Sequence, residues 1–162
     1  MSKKPRDVYW DSSVFLAWFN SEPGRKKDCR EVLDDAEAGK LRIVTSVLTM
    51  TEVIKLKGQR QLPRDRERDI VQFFKQPFLV PYQVTRKIAE DARALIWTYS
   101  HLHPKDSIHL ATAIFSQVIE VHSFDDKHMV KLSEKIGDPP LKITHPKVPQ
   151  PNLPFEEDDE EE

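Results

Sequence analysis

The chain has 162 residues, 38% of them hydrophobic, which is enough for one domain with a core of its own. Its single cysteine, Cys29, excludes an internal disulfide, so we expect a reducing, cytoplasmic location. No apolar run approaches the length of a membrane span and the N-terminus lacks the apolar core of a signal peptide, so we expect no membrane partner.

The net charge of −2 hides an asymmetry between the body and the end of the chain. All seven residues of Glu156–Glu162 are acidic, which leaves 25 basic residues against 20 acidic ones in residues 1–155, a net +5. A basic body is compatible with a polyanionic ligand, although many domains that bind none have a similar charge. Because the end of the chain is rich in proline and acid, we predict one domain over 1–145 and a disordered tail over 146–162.

Short apolar strands alternate with helical patterns along the chain. This alternation is typical of parallel sheets between layers of helices, and it predicts an α/β fold, a three-layer α/β/α sandwich with a central parallel sheet. The predicted strands are 8–10, 41–45, 78–80, 118–122 and 141–143, the last at an edge. The predicted helices are 14–19, 25–38, 47–57, 65–74, 86–99, 104–115 and 127–136.

Single residues mark the ends of several predicted helices. Ser and Thr are typical N-caps, Pro is typical of the first helical residue, and Gly is typical of the position after the last. Caps are predicted at Ser46 and Thr85, a start at Pro104, and stops at Gly39, Gly58 and Gly137.

The helix over 104–115 is the feature on which the site prediction depends. Its apolar residues fall on nearly every side, which is typical of a helix buried all round. Asp106 nevertheless lies in its first turn, where most acids only cap free N–H groups. A role in a functional site therefore requires other carboxylates at the same place.

Three other acids are expected at the same edge of the sheet as Asp106. Asp11 and Asp125 come directly after the first and fourth strands, and Glu52 lies inside an apolar stripe in the helix after the second. Ligands of parallel α/β sheets bind beyond the carboxyl ends of the strands, near the point where strand order reverses. The sequence therefore predicts that the four acids meet in one crevice.

Crowded carboxylates repel one another unless cations share the space. Mg²⁺ or Mn²⁺ with oxygen ligands suits such a set, whereas zinc is disfavoured because no His or Cys completes it. Two such ions about 3.5–4 Å apart can activate a water and stabilise both oxygens of an in-line phosphoryl displacement. The acids therefore point to phosphodiester hydrolysis.

Four blocks of the sequence resemble the signature blocks of the PIN-domain nucleases, most closely those of the VapC-type toxin ribonucleases. They follow the family's order and spacing, and the resemblance extends over roughly residues 7–136. The blocks are Val8–Val14, Thr45–Glu52, Pro104–Ala113 and Ser123–Asp125.

The resemblance implies a function and the residues that perform it. Asp11, Glu52, Asp106 and Asp125 match the family's metal-binding acids, and Ser123 matches the Ser or Thr that orients the last acid or the water. It implies a parallel α/β/α sandwich and an endoribonuclease that uses Mg²⁺ or Mn²⁺ to cleave single-stranded or structured RNA, leaving 5′-phosphate and 3′-hydroxyl ends. Members of the family usually form homodimers, and the toxins are held inactive by a small antitoxin protein.

Two positions depart from the family pattern. Trp10 is bulkier than the small aliphatic residue usual before the first Asp. Asp126 stands beside Asp125, so either could be the fourth acid; we expect Asp125, because it lies two residues after Ser123.

Other residues are weaker candidates. His101 and His103 have the spacing of metal ligands, although such a pair at a helix end is usually solvated. His109 lies one turn after Asp106 and could lean into the crevice, although a packed histidine is more common. The basic run 55–68 could follow a phosphate backbone or form a plain solvated face.

Three alternative functions compete with that of a toxin ribonuclease. A haloacid-dehalogenase-like phosphatase needs a second Asp two positions after the first, where this chain has Ser13. A catalytically silent PIN domain could act as a scaffold, but the intact set of acids argues against it. An RNA-processing nuclease that is not a toxin remains open, because the sequence names neither the RNA nor a partner.

Overall fold

The computed structural model of the protein describes residues 4–55 and 61–148. Within these ranges the strands are β1 (Arg6–Trp10), β2 (Leu41–Ser46), β3 (Leu79–Tyr82), β4 (Glu120–His122) and β5 (Lys142–Thr144). The α-helices are α1 (Ser12–Phe19), α2 (Arg25–Glu37), α3 (Thr49–Glu52), α4 (Glu67–Phe74), α5 (Arg86–Thr98) and α6 (Pro104–Phe115). Two short 3₁₀ segments, Arg64–Arg66 and Val130–Leu132, accompany them.

The strands form one all-parallel sheet in the order β3-β2-β1-β4-β5. Val8 of the central strand β1 lies opposite Ile43 of β2 and Glu120 of β4. The chain winds from β1 outward to β3 and then returns to the other side of β1, so the strand order reverses between β1 and β4. Asp11 and Asp125 follow the carboxyl ends of these two strands, which is where parallel sheets bind ligands.

Alternate side chains of β1 enter two different cores. Val8 and Trp10 pack with residues of α1, α2 and α4, whereas Tyr9 packs with Leu110 of α6 and with Val121 of β4. Helix α5 packs on α6 through Ile88, Ala92 and Ala111. Successive residues of a strand point to opposite faces, so helices cover both faces of the sheet. The predicted three-layer α/β/α sandwich with a central parallel sheet is confirmed.

Several predicted helix ends are confirmed by their geometry. The Thr85 hydroxyl accepts the backbone N–H of Ile88 at 3.2 Å, and Pro104 is the first residue of α6. Gly39 follows α2 with φ +77°, a left-handed conformation that side chains other than Gly rarely adopt. The fifth strand lies at the edge of the sheet, as predicted.

The predicted helix over 47–57 is wrong in length, because α3 has only the four residues Thr49–Glu52. After Glu52 the chain turns, and the carbonyl of Ile54 accepts the backbone N–H of Leu62 at 2.9 Å. This bond between distant residues draws the backbone away from the helical path. The remainder of the predicted helix, from Leu56 to its stop at Gly58, lies outside the described residues.

The predicted helix over 127–136 is also wrong, since turns and the 3₁₀ segment Val130–Leu132 occupy this stretch. Ser133 is extended, and its hydroxyl accepts the N–H of Ile143 at 2.9 Å. Glu134 has φ +64°, and its N–H donates to the carbonyl of Leu141 at 2.8 Å. Pairing with the segment that contains β5 therefore replaces the helical hydrogen bonds.

The composition of α6 predicted a helix that is buried on every side, and this prediction is wrong. Ile114 and Phe115 are exposed at its end, whereas polar residues lie on its buried face. The hydroxyls of Ser107 and Thr112 donate to the carbonyls of Pro104 and Ile108, so both side chains are buried without losing a partner. The prediction from the apolar residues of the helix did not take these hydrogen bonds into account.

The tail predicted over 146–162 lies, from residue 149 on, outside the described residues, so its disorder remains a prediction. In the part of the chain that the structure describes, no helix combines the length and the hydropathy that crossing a membrane requires.

Candidate active site

Asp11 lies directly after β1 and is the N-cap of α1. Its Oδ1 accepts the backbone N–H of Ser13 at 3.0 Å and the Ser13 hydroxyl at 2.5 Å. The same Ser13 oxygen accepts the backbone N–H of Phe124 at 2.9 Å. Because Phe124 follows β4, Ser13 links the carboxyl ends of the two central strands and holds the Asp11 carboxylate at their junction.

Asp106 is the third residue of α6, and no hydrogen bond from residues 4–55 or 61–148 stabilises its charge. Burial, followed by the charges of Asp125 and Asp11, raises the pKa of Asp106 from 3.8 to about 6. An acid that only capped the helix would have its pKa lowered instead. The Asp106 carboxylate therefore lies close enough to Asp11 and Asp125 for their charges to repel it.

Ser123 contacts both acids at the junction of the strands. Its hydroxyl oxygen accepts the backbone N–H of Asp125 at 3.0 Å, so it orients the start of the loop that carries this acid. Burial raises the pKa of Asp11, while His109 and hydrogen bonds from Ser123 and Ser13 oppose that rise. The orienting role that the resemblance implied for Ser123 stays a prediction.

Asp125 and Asp126 have different surroundings. The Oδ1 of Asp125 accepts the backbone N–H of His128 at 3.0 Å, and the His128 Nδ1 lies 3.2 Å from both carboxylate oxygens. Asp126 instead faces His145, 2.7 Å away, with 66% of its side chain exposed. It is Asp125, not Asp126, whose charge raises the pKa of Asp106. The geometry therefore favours Asp125 as the fourth acid.

Glu52 is buried in a network of its own, so the acid in the apolar stripe has partners. Its Oε1 accepts the Ser12 hydroxyl at 2.9 Å and lies 2.9 Å from the Nε2 of His109. The Nδ1 of His109 is 2.6 Å from the Tyr9 hydroxyl. Burial by itself would raise the pKa of Glu52, but the hydrogen bonds with His109 and Ser12 outweigh it and hold the pKa below its usual range.

The donor chemistry of these residues fits a hard divalent cation. All the candidate ligands are carboxylate oxygens, and the Asp106 carboxylate, repelled by its neighbours, would be stabilised by such an ion. However, in residues 4–55 and 61–148 no three His, Cys, Asp or Glu side chains are placed to hold a metal ion together. The role of Asp11, Glu52, Asp106 and Asp125 as metal ligands therefore stays a prediction.

A model of the PIN-domain family matches residues 8–135, most of the chain. The chain belongs to the PIN-domain family. The match covers Asp11, Glu52, Asp106, Ser123 and Asp125, and it confirms the resemblance that the four blocks indicated. No curated protein sequence matches the chain significantly.

Three solved structures share the fold of this PIN domain. VapC20 of Mycobacterium tuberculosis, a sarcin-ricin loop cleaving toxin, has a TM-score of 0.58 and 15% identity over 74% of this chain and 91% of that one. A toxin–antitoxin complex from Klebsiella pneumoniae has a TM-score of 0.59 and 20% identity over 87% and 99%. VapBC2 from Rickettsia felis, bound to a DNA fragment from its promoter, has a TM-score of 0.58 and 12% identity over 85% and 96%. At such low identities the likeness shows the fold alone.

Four residues of this PIN domain at the site were not predicted as parts of it. Ser12, Ser13 and His128 contact the acids, and Tyr9 contacts His109. Ser12 and Ser13 could have been found, because short hydroxyl side chains directly after a buried acid at a helix start often bond to neighbouring groups. The contacts of Tyr9 and His128 depend on tertiary packing and left no signal in the sequence. His109, for which the sequence left open a packed position or a place in the crevice, is buried and also contacts Glu52.

Trp10, which departs from the family pattern, is accommodated by the core of this PIN domain. It is fully buried, its Nε1–H donates to the Nδ1 of His122 at 3.0 Å, and its ring meets the Phe15 ring edge-on at 5.3 Å. The bulky ring therefore lies away from the Tyr9 side of the sheet, where the network of Glu52 and His109 is built.

The weaker candidates for the site were the pair His101 and His103 and the basic run 55–68. The His103 ring lies 5.7 Å from the His128 ring, and both His101 and His103 are exposed. In the basic run 55–68, two arginines are near acids: Arg66 contacts Asp69 and Arg64 contacts Glu67. Lys57 and Arg60 lie outside the described residues. A role for the run in binding a phosphate backbone stays a prediction.

Asp106→Asn should stabilise the metal-free protein at neutral pH. Because the pKa of Asp106 is raised on folding, the folded state binds the proton more tightly, and ionisation destabilises the fold as pH rises from 3.8 to about 6. The two-unit shift corresponds to about 3 kcal/mol at most, and we expect about 1–2 kcal/mol after solvent screening. Urea unfolding in EDTA should show this gain at pH 7.5 and little gain at pH 4.

The control for this prediction is Asp126→Asn, which removes an exposed acid that is paired with His145. Its free energy of unfolding should not rise at pH 7.5. An Asp106→Asn variant that is no more stable than the wild type at pH 7.5 would contradict the raised pKa of the buried Asp106 carboxyl.

Proposed function

We propose that this PIN domain is a Mg²⁺- or Mn²⁺-dependent endoribonuclease and the toxin of a toxin–antitoxin pair. One observation carries the proposal: Asp106 lies without a hydrogen bond from the described residues, at the carboxyl edge of the two central strands, and burial, followed by the charges of Asp125 and Asp11, raises its pKa. A group of carboxylates that repel one another in a fold of this family is typical of a site that functions with cations.

A divalent ion held there would activate a water molecule and stabilise the charge that develops on the phosphate oxygens. Asp11, Glu52, Asp106 and Asp125 would hold it. Ser13 holds Asp11 in place through its hydroxyl, and Ser123 holds the backbone of Asp125. These hydrogen bonds come from the chain's own groups, and they orient Asp11 and the start of the loop that carries Asp125.

RNA is proposed as the substrate because of the resemblance to the VapC-type ribonucleases. The neighbour VapC20 is a sarcin-ricin loop cleaving toxin, which is consistent with a structured RNA substrate here. The other two neighbours are a toxin–antitoxin complex and VapBC2, which support a proposed antitoxin partner for this chain. The homodimer and the cytoplasmic location remain part of the same proposal.

The purified protein should cleave single-stranded or structured RNA with Mg²⁺ or Mn²⁺ and should be inactive in EDTA. Asp11→Asn and Asp106→Asn should each lower the cleavage rate by about 100-fold or more, because a neutral amide binds the ion less well. Gel assays of end-labelled RNA would measure the rate and show the predicted 5′-phosphate ends.

Asp7→Asn is a matched control for this assay, because Asp7 lies on the same strand as Tyr9 but pairs with Arg42 near the amino end of β1. It should cleave RNA at the wild-type rate. Cleavage that persists in EDTA or in the Asp11→Asn/Asp106→Asn double variant would overturn the proposed chemistry. A well-folded wild type without any cleavage would favour the silent scaffold.

Asp125→Ala should abolish cleavage, and Asp126→Ala should leave it within about threefold of the wild type. The reason is that Asp125 lies close enough to raise the pKa of Asp106, whereas Asp126 faces His145 at the surface. The same RNA assay measures both variants. The reverse ranking would show that Asp126 is the fourth acid.

Expression of the protein alone should arrest bacterial growth if it is a toxin. Growth curves after induction would compare the wild type with Asp11→Asn, which should be harmless at an equal protein level. Arrest by both proteins would trace the effect to something other than cleavage. Active enzyme in vitro without any arrest in cells would favour the RNA-processing nuclease.

A further inference from the structure

Four buried side chains from four separate elements form one hydrogen-bonded network around Glu52. Tyr9 belongs to β1, Ser12 to α1, Glu52 to α3 and His109 to α6. All four are at most 6% exposed. The network runs from the Tyr9 hydroxyl to the His109 ring at 2.6 Å and from the ring to Glu52 at 2.9 Å, with Ser12 joining at 2.9 Å.

The hydroxyl protons decide which nitrogen of His109 is protonated. The Tyr9 hydroxyl lies 2.6 Å from the Nδ1 of His109. When Tyr9 donates to Nδ1, the neutral ring carries its own proton on Nε2, and this N–H donates to Glu52. The Ser12 hydroxyl donates to the same Glu52 oxygen. Every proton of the network then has an acceptor.

Both donors bond to Oε1 of Glu52, and no hydrogen bond from the described residues reaches Oε2. The backbone does little to fix this side chain, because α3 has only four residues and begins after Leu48, which has no polar side chain. The carboxylate is therefore oriented by Ser12 and His109. His109 also lies three residues after Asp106, on the same side of α6, so it links the positions of two acids.

We propose that His109 is a positioning residue that holds the Glu52 carboxylate toward the metal site, and that Tyr9 fixes the tautomer in which it can do so. The proposal rests on the proposed function, because it requires that the site binds a divalent ion. A purely structural role predicts something different: loss of His109 would lower stability without changing the affinity of the protein for the ion.

The test compares two replacements of His109 by their affinity for Mn²⁺. His109→Gln keeps an N–H donor near the position of Nε2, whereas His109→Leu keeps volume but has no donor. Loss of a residue that orients a metal ligand typically weakens metal binding by about 10–100-fold. Isothermal titration with Mn²⁺ at pH 8 should show such a loss in His109→Leu, with most of the affinity restored in His109→Gln.

His122→Leu is the matched control. His122 is the other buried histidine that bonds an aromatic residue of β1, since its Nδ1 accepts the Trp10 N–H at 3.0 Å, but it does not contact Glu52. His122→Leu should lower the free energy of unfolding in urea as much as His109→Leu or more, and it should bind Mn²⁺ like the wild type. Equal losses of affinity in both leucine variants would assign the effect to general loosening and overturn the proposal.

Tyr9→Phe tests the tautomer in a variant that keeps the ring and its packing, including the case in which His109→Leu does not fold. Long-range ¹H–¹⁵N spectra of histidine-labelled, metal-free protein at pH 8 should show wild-type His109 protonated on Nε2 alone. Tyr9→Phe should lose this single tautomer and bind Mn²⁺ severalfold more weakly. A wild-type proton on Nδ1, or unchanged binding in Tyr9→Phe, would overturn the proposal.

Failure of this proposal is distinguishable from failure of the proposed function. If the wild type binds Mn²⁺, Asp11→Asn does not, and both His109 variants bind like the wild type, only the positioning role is overturned. If the wild type does not bind Mn²⁺ and cleaves RNA in EDTA, the metal-dependent function fails and the positioning role fails with it.

Discussion

Repulsion between the carboxylates of Asp11, Asp106 and Asp125 is the constraint around which this end of the molecule is built. The strand order places Asp11 and Asp125 side by side beyond β1 and β4, and α6 brings Asp106 to the same place in its first turn. Burial of the Asp106 carboxylate, followed by the charges of Asp125 and Asp11, raises its pKa to about 6. A fold selected only for stability would place neutral groups there, so the retained charges indicate a function.

Small hydroxyl side chains hold the acids in spite of this repulsion. Ser12, Ser13 and Ser123 each bond to an acid or to the backbone beside one, at 2.5–3.0 Å. A hydrogen bond to a charged group contributes about 1.5–3 kcal/mol, more than a typical neutral pair. Ser13 bonds both to Asp11 and to the backbone of Phe124, so the residue that holds this acid also links the ends of β1 and β4.

Two buried histidines show how one local chemistry can have different consequences. The Nδ1 atoms of His109 and His122 each form a hydrogen bond with an aromatic residue of β1, Tyr9 on one face of the sheet and Trp10 on the other. The Nε2 of His109 reaches Glu52, whereas the Nε2 of His122 meets no partner within residues 4–55 and 61–148. The position of a partner acid therefore decides whether a buried histidine contacts the site, as His109 does, or is only a core residue, as His122 is.

Local chemistry in the sequence determined much of this fold. The five strands, the caps at Thr85 and Pro104, and the left-handed stop at Gly39 depend on neighbouring residues, and each was found from the sequence. The family could also be named from its four blocks, because each block is a short stretch of consecutive residues.

Bonds between distant residues were decided only by the tertiary structure. The helix predicted over 127–136 gives way to turns because Ser133 and Glu134 pair with the segment around β5, and α3 stops early where Ile54 pairs with Leu62. The partners of the acids follow the same rule. An Asp after a strand could be read directly, but the bond from His109 to Glu52 joins residues 57 positions apart and exists only once α6 has packed on the sheet.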